Sequence, residues 1–158
     1  MRHFFSVCLL LLALAPAASA APAASREPLK IKSDTLRADN EKNTATFEGK
    51  VVARQGDMTL YADRLVISYS PVGRDLSRVE AFGNVRILQG NRQASGAHAV
   101  YDPKRASIVL DGSPKVVQGE DVITGTLITY YLNEQRSEVT GRVDAVIHPG
   151  GKDAGAKP

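Results

Sequence analysis

Thr44-Ala45-Thr46-Phe47-Glu48-Gly49-Lys50-Val51-Val52-Ala53-Arg54-Gln55-Gly56 is the stretch whose reading decides the fold. Ala45, Phe47, Gly49, Val51 and Ala53 are apolar or small, and Thr44, Thr46, Glu48, Lys50 and Arg54 intervene. Alternation with period two turns one face of the chain to a core and the other to water, which is the pattern of a half-buried strand. The pattern returns twice. Val79, Ala81, Gly83, Val85 and Ile87 alternate with Arg78, Glu80, Asn84 and Arg86. Val139, Gly141, Val143, Ala145 and Ile147 alternate with Glu138, Thr140, Arg142, Asp144 and His148. No segment beyond the N-terminal leader sustains apolar spacing of three and four, so that part reads as all-β.

Outward from this stretch the chain repeats. Gly49, Gly83, Gly112 and Gly141 are separated by 34, 29 and 29 residues. The first three are each followed seven residues later by a second glycine, in Gln55-Gly56, Gln89-Gly90 and Gln118-Gly119. Six residues further stand the small residues Ala62, Gly96 and Gly125, and one period before Ala62 stands Ser33. The surplus of the 34-residue step falls in the turn-rich Ser70-Pro71-Val72-Gly73-Arg74-Asp75. Polar connections at 39–43, 102–105 and 133–136 join successive strands. Four partial copies of one antiparallel strand–turn–strand unit, stacked end on end, give an open, elongated, curled sheet with unpaired first and last strands. A glycine inside a strand either relieves crowding at a bend or leaves room for something lying against it.

The ends set the compartment. Met1-Arg2-His3 is a basic start, Phe4 to Ala15 is apolar, and Ala18-Ser19-Ala20 supplies small residues before a cleavage point at Ala21. That is a secretory signal over residues 1–20, too short in its apolar part to cross a bilayer core of about 30 Å. Residues 21–27 then read as a linker, 28–148 as one β-domain and 149–158 as a disordered tail. Cys8 is the sole cysteine and lies inside the leader, so neither a disulfide nor a zinc–thiolate site holds the exported fold. Without Arg2 there are 19 basic against 17 acidic residues, spread without blocks, and the chain has no Trp. Nothing here resembles a nucleic-acid platform. His98 and His148, the histidines after the leader, lack metal-ligand spacing, and no G-x-S-x-G occurs. The reading carries no catalytic residue, no metal and no cofactor.

Pro28-Leu29-Lys30-Ile31-Lys32-Ser33-Asp34, Thr46-Phe47-Glu48-Gly49-Lys50-Val51-Val52, Gln55-Gly56 and Leu60-Tyr61-Ala62-Asp63-Arg64-Leu65-Val66-Ile67 together resemble the OstA-like domain family of LptA-type periplasmic lipopolysaccharide-transport proteins. The likeness runs from about Pro28 to Ile147. It implies a slightly twisted β-jellyroll, open along one side, whose apolar interior shields the acyl chains of lipopolysaccharide. It also implies head-to-tail stacking of copies between an LptC-like inner-membrane anchor and an LptD-like outer-membrane translocon. Leu29, Ile31, Phe47, Val51, Leu60, Leu65, Ile67, Val85, Ile87 and Leu110 are the candidate lipid contacts, although plain core packing accounts for the same residues. Ile31, Thr35, Val139, Val143 and Ile147 mark the two candidate docking edges. Arg64 and Lys50 could meet lipid phosphates or simply be solvated. Two other readings stay open: an adaptor or structural module of the same pathway that carries no lipid, and a β-solenoid enzyme acting on polysaccharide.

Overall fold

The computed structural model describes residues 27–150; the expected signal segment 1–20, most of the expected linker and most of the expected tail lie outside them. All regular structure among the described residues is strand. Twelve strands follow in order: β1 (Lys30–Lys32), β2 (Thr35–Asp39), β3 (Thr44–Gln55), β4 (Met58–Tyr69), β5 (Leu76–Gln89), β6 (Arg92–Asp102), β7 (Ser107–Asp111), β8 (Lys115–Gln118), β9 (Asp121–Thr124), β10 (Leu127–Tyr131), β11 (Arg136–Thr140) and β12 (Asp144–Val146). Every pairing is antiparallel. Two kinds of turn alternate along the chain. Gly56-Asp57, Gly90-Asn91 and Gly119-Glu120 make two-residue hairpins, with Gln55 opposite Met58, Gln89 opposite Arg92 and Gln118 opposite Asp121. Positive φ at each first turn residue (58°, 56° and 60°) is what glycine supplies there. On the other side, Asp39 and Asp102 close longer turns by accepting backbone N–H bonds, from Lys42 at 3.0 Å and from Lys104 at 2.9 Å.

The sheet is creased along its middle. One half-sheet runs β2–β3–β4–β5–β6–β7–β10–β11 and the other β1–β3–β4–β5–β6–β8–β9–β12, so β3 to β6 belong to both. The crease is a series of bulges at the repeat glycines. On β3, Gly49 and Lys50 take φ of +81° and +47° between the pairs Glu48–Arg64 and Val51–Ala62, facing Asp63 of β4 alone. A β-carbon at Gly49 would collide with Asp34, and at Gly83 with Asp63; Ala97 and Thr126 hold the same place beside Gly112 and Gly141. The bend and the room are thus one feature, since the space freed by each glycine is filled by the residue after the preceding small one. Backbone bonds tie the crease: the Thr126 N–H donates to the carbonyls of Thr140 at 2.9 Å and Gly141 at 2.8 Å.

Between the half-sheets lies one apolar core that draws on both: Val51, Ala53, Ala62, Val85 and Ile87 from one side, Leu65, Ile67, Ala81, Ala99, Ile108, Leu110 and Ile128 from the other. The expected continuous edge strands are each divided by the crease. Ser33-Asp34 separates β1 from β2, and residues 141–143 separate β11 from β12. Val143, expected within the last strand, therefore lies in the bend and is 53% exposed, because Gly141 and Arg142 both turn to positive φ just before it.

Candidate functional site: an open apolar trough

Along the edge opposite the crease the half-sheets do not meet, and the interior opens. Inward rungs cross the strands in register. One runs Ile31–Ala53–Leu60–Ile87–Ala94–Val116–Ile123–Ala145, and on the facing half-sheet another runs Leu36–Phe47–Leu65–Ala81–Ala99–Leu110–Ile128–Val139. Between them, near the middle strands, is a cavity of about 420 Å³. Leu29, Ala53, Met58, Leu60, Leu65, Leu76, Val79, Ala81, Ile87, Ala99, Tyr101, Ala106, Ile108 and Leu132 form its apolar wall, with Gln55, Asp57, Gln89 and Asn133 at its mouth. The size is within the roughly 300–1,000 Å³ usual for small-ligand pockets. Toward β10 the interior shrinks to about 50 Å³, lined by Ile108, Leu110, Val116, Ile128 and Tyr130 among others. Burial, and secondarily the Asp102 carboxylate, pushes the Tyr101 phenol above its usual pKa of 10.0.

Leu29, Leu60, Leu65 and Ile87 line the wide cavity, and Ile87 and Leu110 line the narrow one. Val51, Ile67 and Val85 are buried in the core and line neither. Ile31 and Phe47 pack against that core. Sequence reasoning missed Ala53, Ala81, Ala99, Ala106, Met58 and Tyr101 as lining residues; Ala53, Ala81 and Ala99 stand at inward positions of their strands, and Ala106 lies in the turn before β7.

The outer face is built differently. A polar and aromatic rung crosses five strands beside the crease: Glu48 and Arg64 pair at 3.5 Å, the Arg64 guanidinium lies 5.7 Å from the Phe82 ring centre, Phe82 stacks on His98 at 4.7 Å, and His98 Nδ1 is 3.0 Å from Asp111 Oδ2. Arg64 is thereby committed outside the trough. Next to it Arg78 donates to Glu80 at 3.0 Å, and that hydrogen bond holds the Glu80 carboxyl below the usual carboxylate range.

At the ends, β2 and β1 have β3 as their one neighbour, while β11 and β12 pair with β10 and β9 alone among the described residues. Inward or flanking apolar residues stand bare there: Leu36 is 60% exposed at one end, Val146 54% and Ile147 62% at the other. Among the candidate edge residues, Ile31 pairs with Ala53, Thr35 with Glu48 and Val139 with Ile128, and Ile147 lies just past β12.

An antiparallel sheet folded on itself, apolar within and open along one side and at both ends, defines an open β-jellyroll. The chain belongs to the LptA/(LptD N-terminal domain) LPS transport protein family, whose model matches residues 30–136. It is 30% identical over 135 residues to the lipopolysaccharide export system protein LptA of Haemophilus influenzae, covering 78% of each chain. With the protein of the same name from Escherichia coli it shares 28% over 133 residues, 78% of this chain and 72% of that one. The crystal structure of LptH, the LptA homologous periplasmic component of the lipopolysaccharide transport device from Pseudomonas aeruginosa, superposes with a TM-score of 0.73 at 21% identity, covering 81% of this chain and 100% of that one. The all-β, open, curled sheet read from the repeat, and the jellyroll that the resemblance implied, are the fold observed.

Proposed function

We propose that this chain is a periplasmic carrier that shields the acyl chains of lipopolysaccharide in its trough. It docks head to tail with further copies, and with an LptC-like anchor and an LptD-like translocon at the two membranes. One observation carries the reading: a 420 Å³ apolar cavity that is open along its length, in a fold whose terminal strands leave their outer edges unpaired. An acyl chain exposed to water costs about 0.8 kcal/mol per methylene, so a multi-chain lipid needs such a cover to cross an aqueous space. Free strand edges offer main-chain hydrogen bonds to a neighbour of the same fold, and heterologous pairing extends the sheet. Leu36 at one end and Val146 and Ile147 at the other would be covered by that contact.

Purified protein tests this directly. Lipopolysaccharide should displace an apolar fluorophore from the trough, and light scattering should show linear oligomers growing with concentration. A protein that docks with its membrane partners but binds no lipopolysaccharide would be the adaptor instead. One that stays monomeric and binds neither would end the bridge reading.

A further inference from the structure

Three short hairpins bring Gln55, Met58, Gln89, Arg92, Gln118 and Asp121 into one rung at the mouth of the trough, one step outside the apolar rung of Ala53, Leu60, Ile87, Ala94, Val116 and Ile123. Because side chains alternate between faces, this rung points inward like its neighbour two residues away. Arg92 is its one cation. The other Lys and Arg residues of the strands sit beside inward residues or in the bulge, and so face outward: Lys30 and Lys32 flank Ile31, Arg54 follows Ala53, Arg86 precedes Ile87, Lys115 precedes Val116.

The partners of Arg92 leave its charge available. Its guanidinium lies 5.5 Å from the ring centre of Tyr130, on the opposite half-sheet, and its Nε donates to Gln118 Oε1 at 3.4 Å. It takes part in no ion pair among the described residues. The nearby carboxylates are otherwise engaged: Asp57 accepts from Gln89 at 3.2 Å, and Asp121 accepts from the His148 N–H at 2.8 Å. The residue also stands where the wide cavity gives way to the narrow one, and lines the latter with Gln89 and Tyr130.

We infer that Arg92 recognises the anionic headgroup of the amphiphile whose acyl chains occupy the trough, and that the Tyr130 ring is the resting place its guanidinium leaves to do so. The inference rests on the carrier reading above. A guanidinium face on an aromatic ring is a weaker partnership than a guanidinium paired with a phosphate through two parallel hydrogen bonds, so the exchange runs toward the phosphate. Gln89 and Gln118 on either side supply amide donors to the same group. Leaving Tyr130 also removes a bridge across the mouth at this level, so that seating a headgroup and opening the narrow section become one event.

The test compares lipopolysaccharide with the same lipid stripped of its phosphates, on the wild-type protein, Arg92→Gln, Arg92→Lys and Tyr130→Leu. Wild type should bind the phosphorylated form about tenfold more tightly, the worth of one charge-assisted contact. Arg92→Gln should bring the two forms to equal affinity with an unchanged thermal midpoint, and Arg92→Lys should keep part of the preference. Tyr130→Leu should retain it. Millimolar inorganic phosphate should not displace the lipid, since the headgroup is held through its seated chains. A phosphate preference that survives in Arg92→Gln, that is lost equally in Tyr130→Leu, or that free phosphate abolishes would overturn the inference. A wild-type protein that binds both forms equally would also overturn it while leaving carriage intact. Binding of neither form would instead remove the carrier reading itself.

Discussion

The trough has two sections built from the same repeat. Over the middle strands, alanines at positions 53, 81 and 99, with Ala106 in the turn before β7, line about 420 Å³ between the half-sheets. Toward β10, Ile108, Leu110, Val116, Ile128 and Tyr130 close the same gap to about 50 Å³. Antiparallel pairing and the glycine crease run through both, and the side chains that line them differ. A single architecture can therefore hold a sealed core at one place and a guest site at another. The same substitution should have unequal consequences in the two.

The largest expected effect is in the narrow section. Ile128 is 2% exposed, and Ile128→Ala should cost about 2–5 kcal/mol in urea unfolding, the transfer and cavity terms together. Leu60→Ala, in the wide section, removes a side chain that already borders open space, and its loss should be clearly smaller. Equal losses would show that the cavity is packed shut in solution. Adding volume keeps the order. Ala94→Phe intrudes on the narrow section and should cost about 1–3 kcal/mol. Ala53→Phe should be absorbed by the cavity with less destabilisation, and weaken lipopolysaccharide binding instead. A binding titration beside the unfolding curve separates the two.

How far this contrast was legible in the sequence depends on which residues carry it. Alternation sufficed for the strands, and the spacing of Gly49, Gly83, Gly112 and Gly141 marked where a bend or a space lies, because a backbone bend at positive φ needs a specific residue. The glycines after Gln55, Gln89 and Gln118 were visible as a period but not as two-residue turns, so the alternation was not carried through them onto Arg92. The cavity was hardest to read. Large apolar residues mark walls, and searching for them found Leu60, Leu65 and Ile87 together with Val51, Ile67 and Val85, which are simply core. Space is made by what is missing, and alanine in a strand has no signature of its own until the facing sheet is placed opposite it. Division of each edge into two short strands was likewise invisible, since the alternation continues across Gly141 although the backbone pairing does not.

The smallest expected effect lies on the outer face, where neither section is touched. The Arg78 hydrogen bond depresses the Glu80 carboxyl below its ordinary pKa of 4.5. Its contribution to stability is therefore present above that value and lost as pH falls through the lower folded one. Half of the Arg78 side chain is exposed, so solvent screening keeps the pair below about 1 kcal/mol. Glu80→Gln should flatten the acid limb of the stability curve by that small amount and leave lipid binding alone. A change in binding would mean that the two faces are coupled.

Photo-crosslinking amino acids placed one at a time in living cells test the central claim, that lipid occupies the wide section of the trough. Leu60 and Ala99 border the cavity, Ile128 lies in the narrow section, and Val100, the neighbour of Ala99, faces outward. Strong lipopolysaccharide adducts are expected at Leu60 and Ala99, weak ones at Ile128 and none at Val100. Adducts at Val100 as strong as those at Ala99, or none at either cavity position in a protein that still folds, would contradict it.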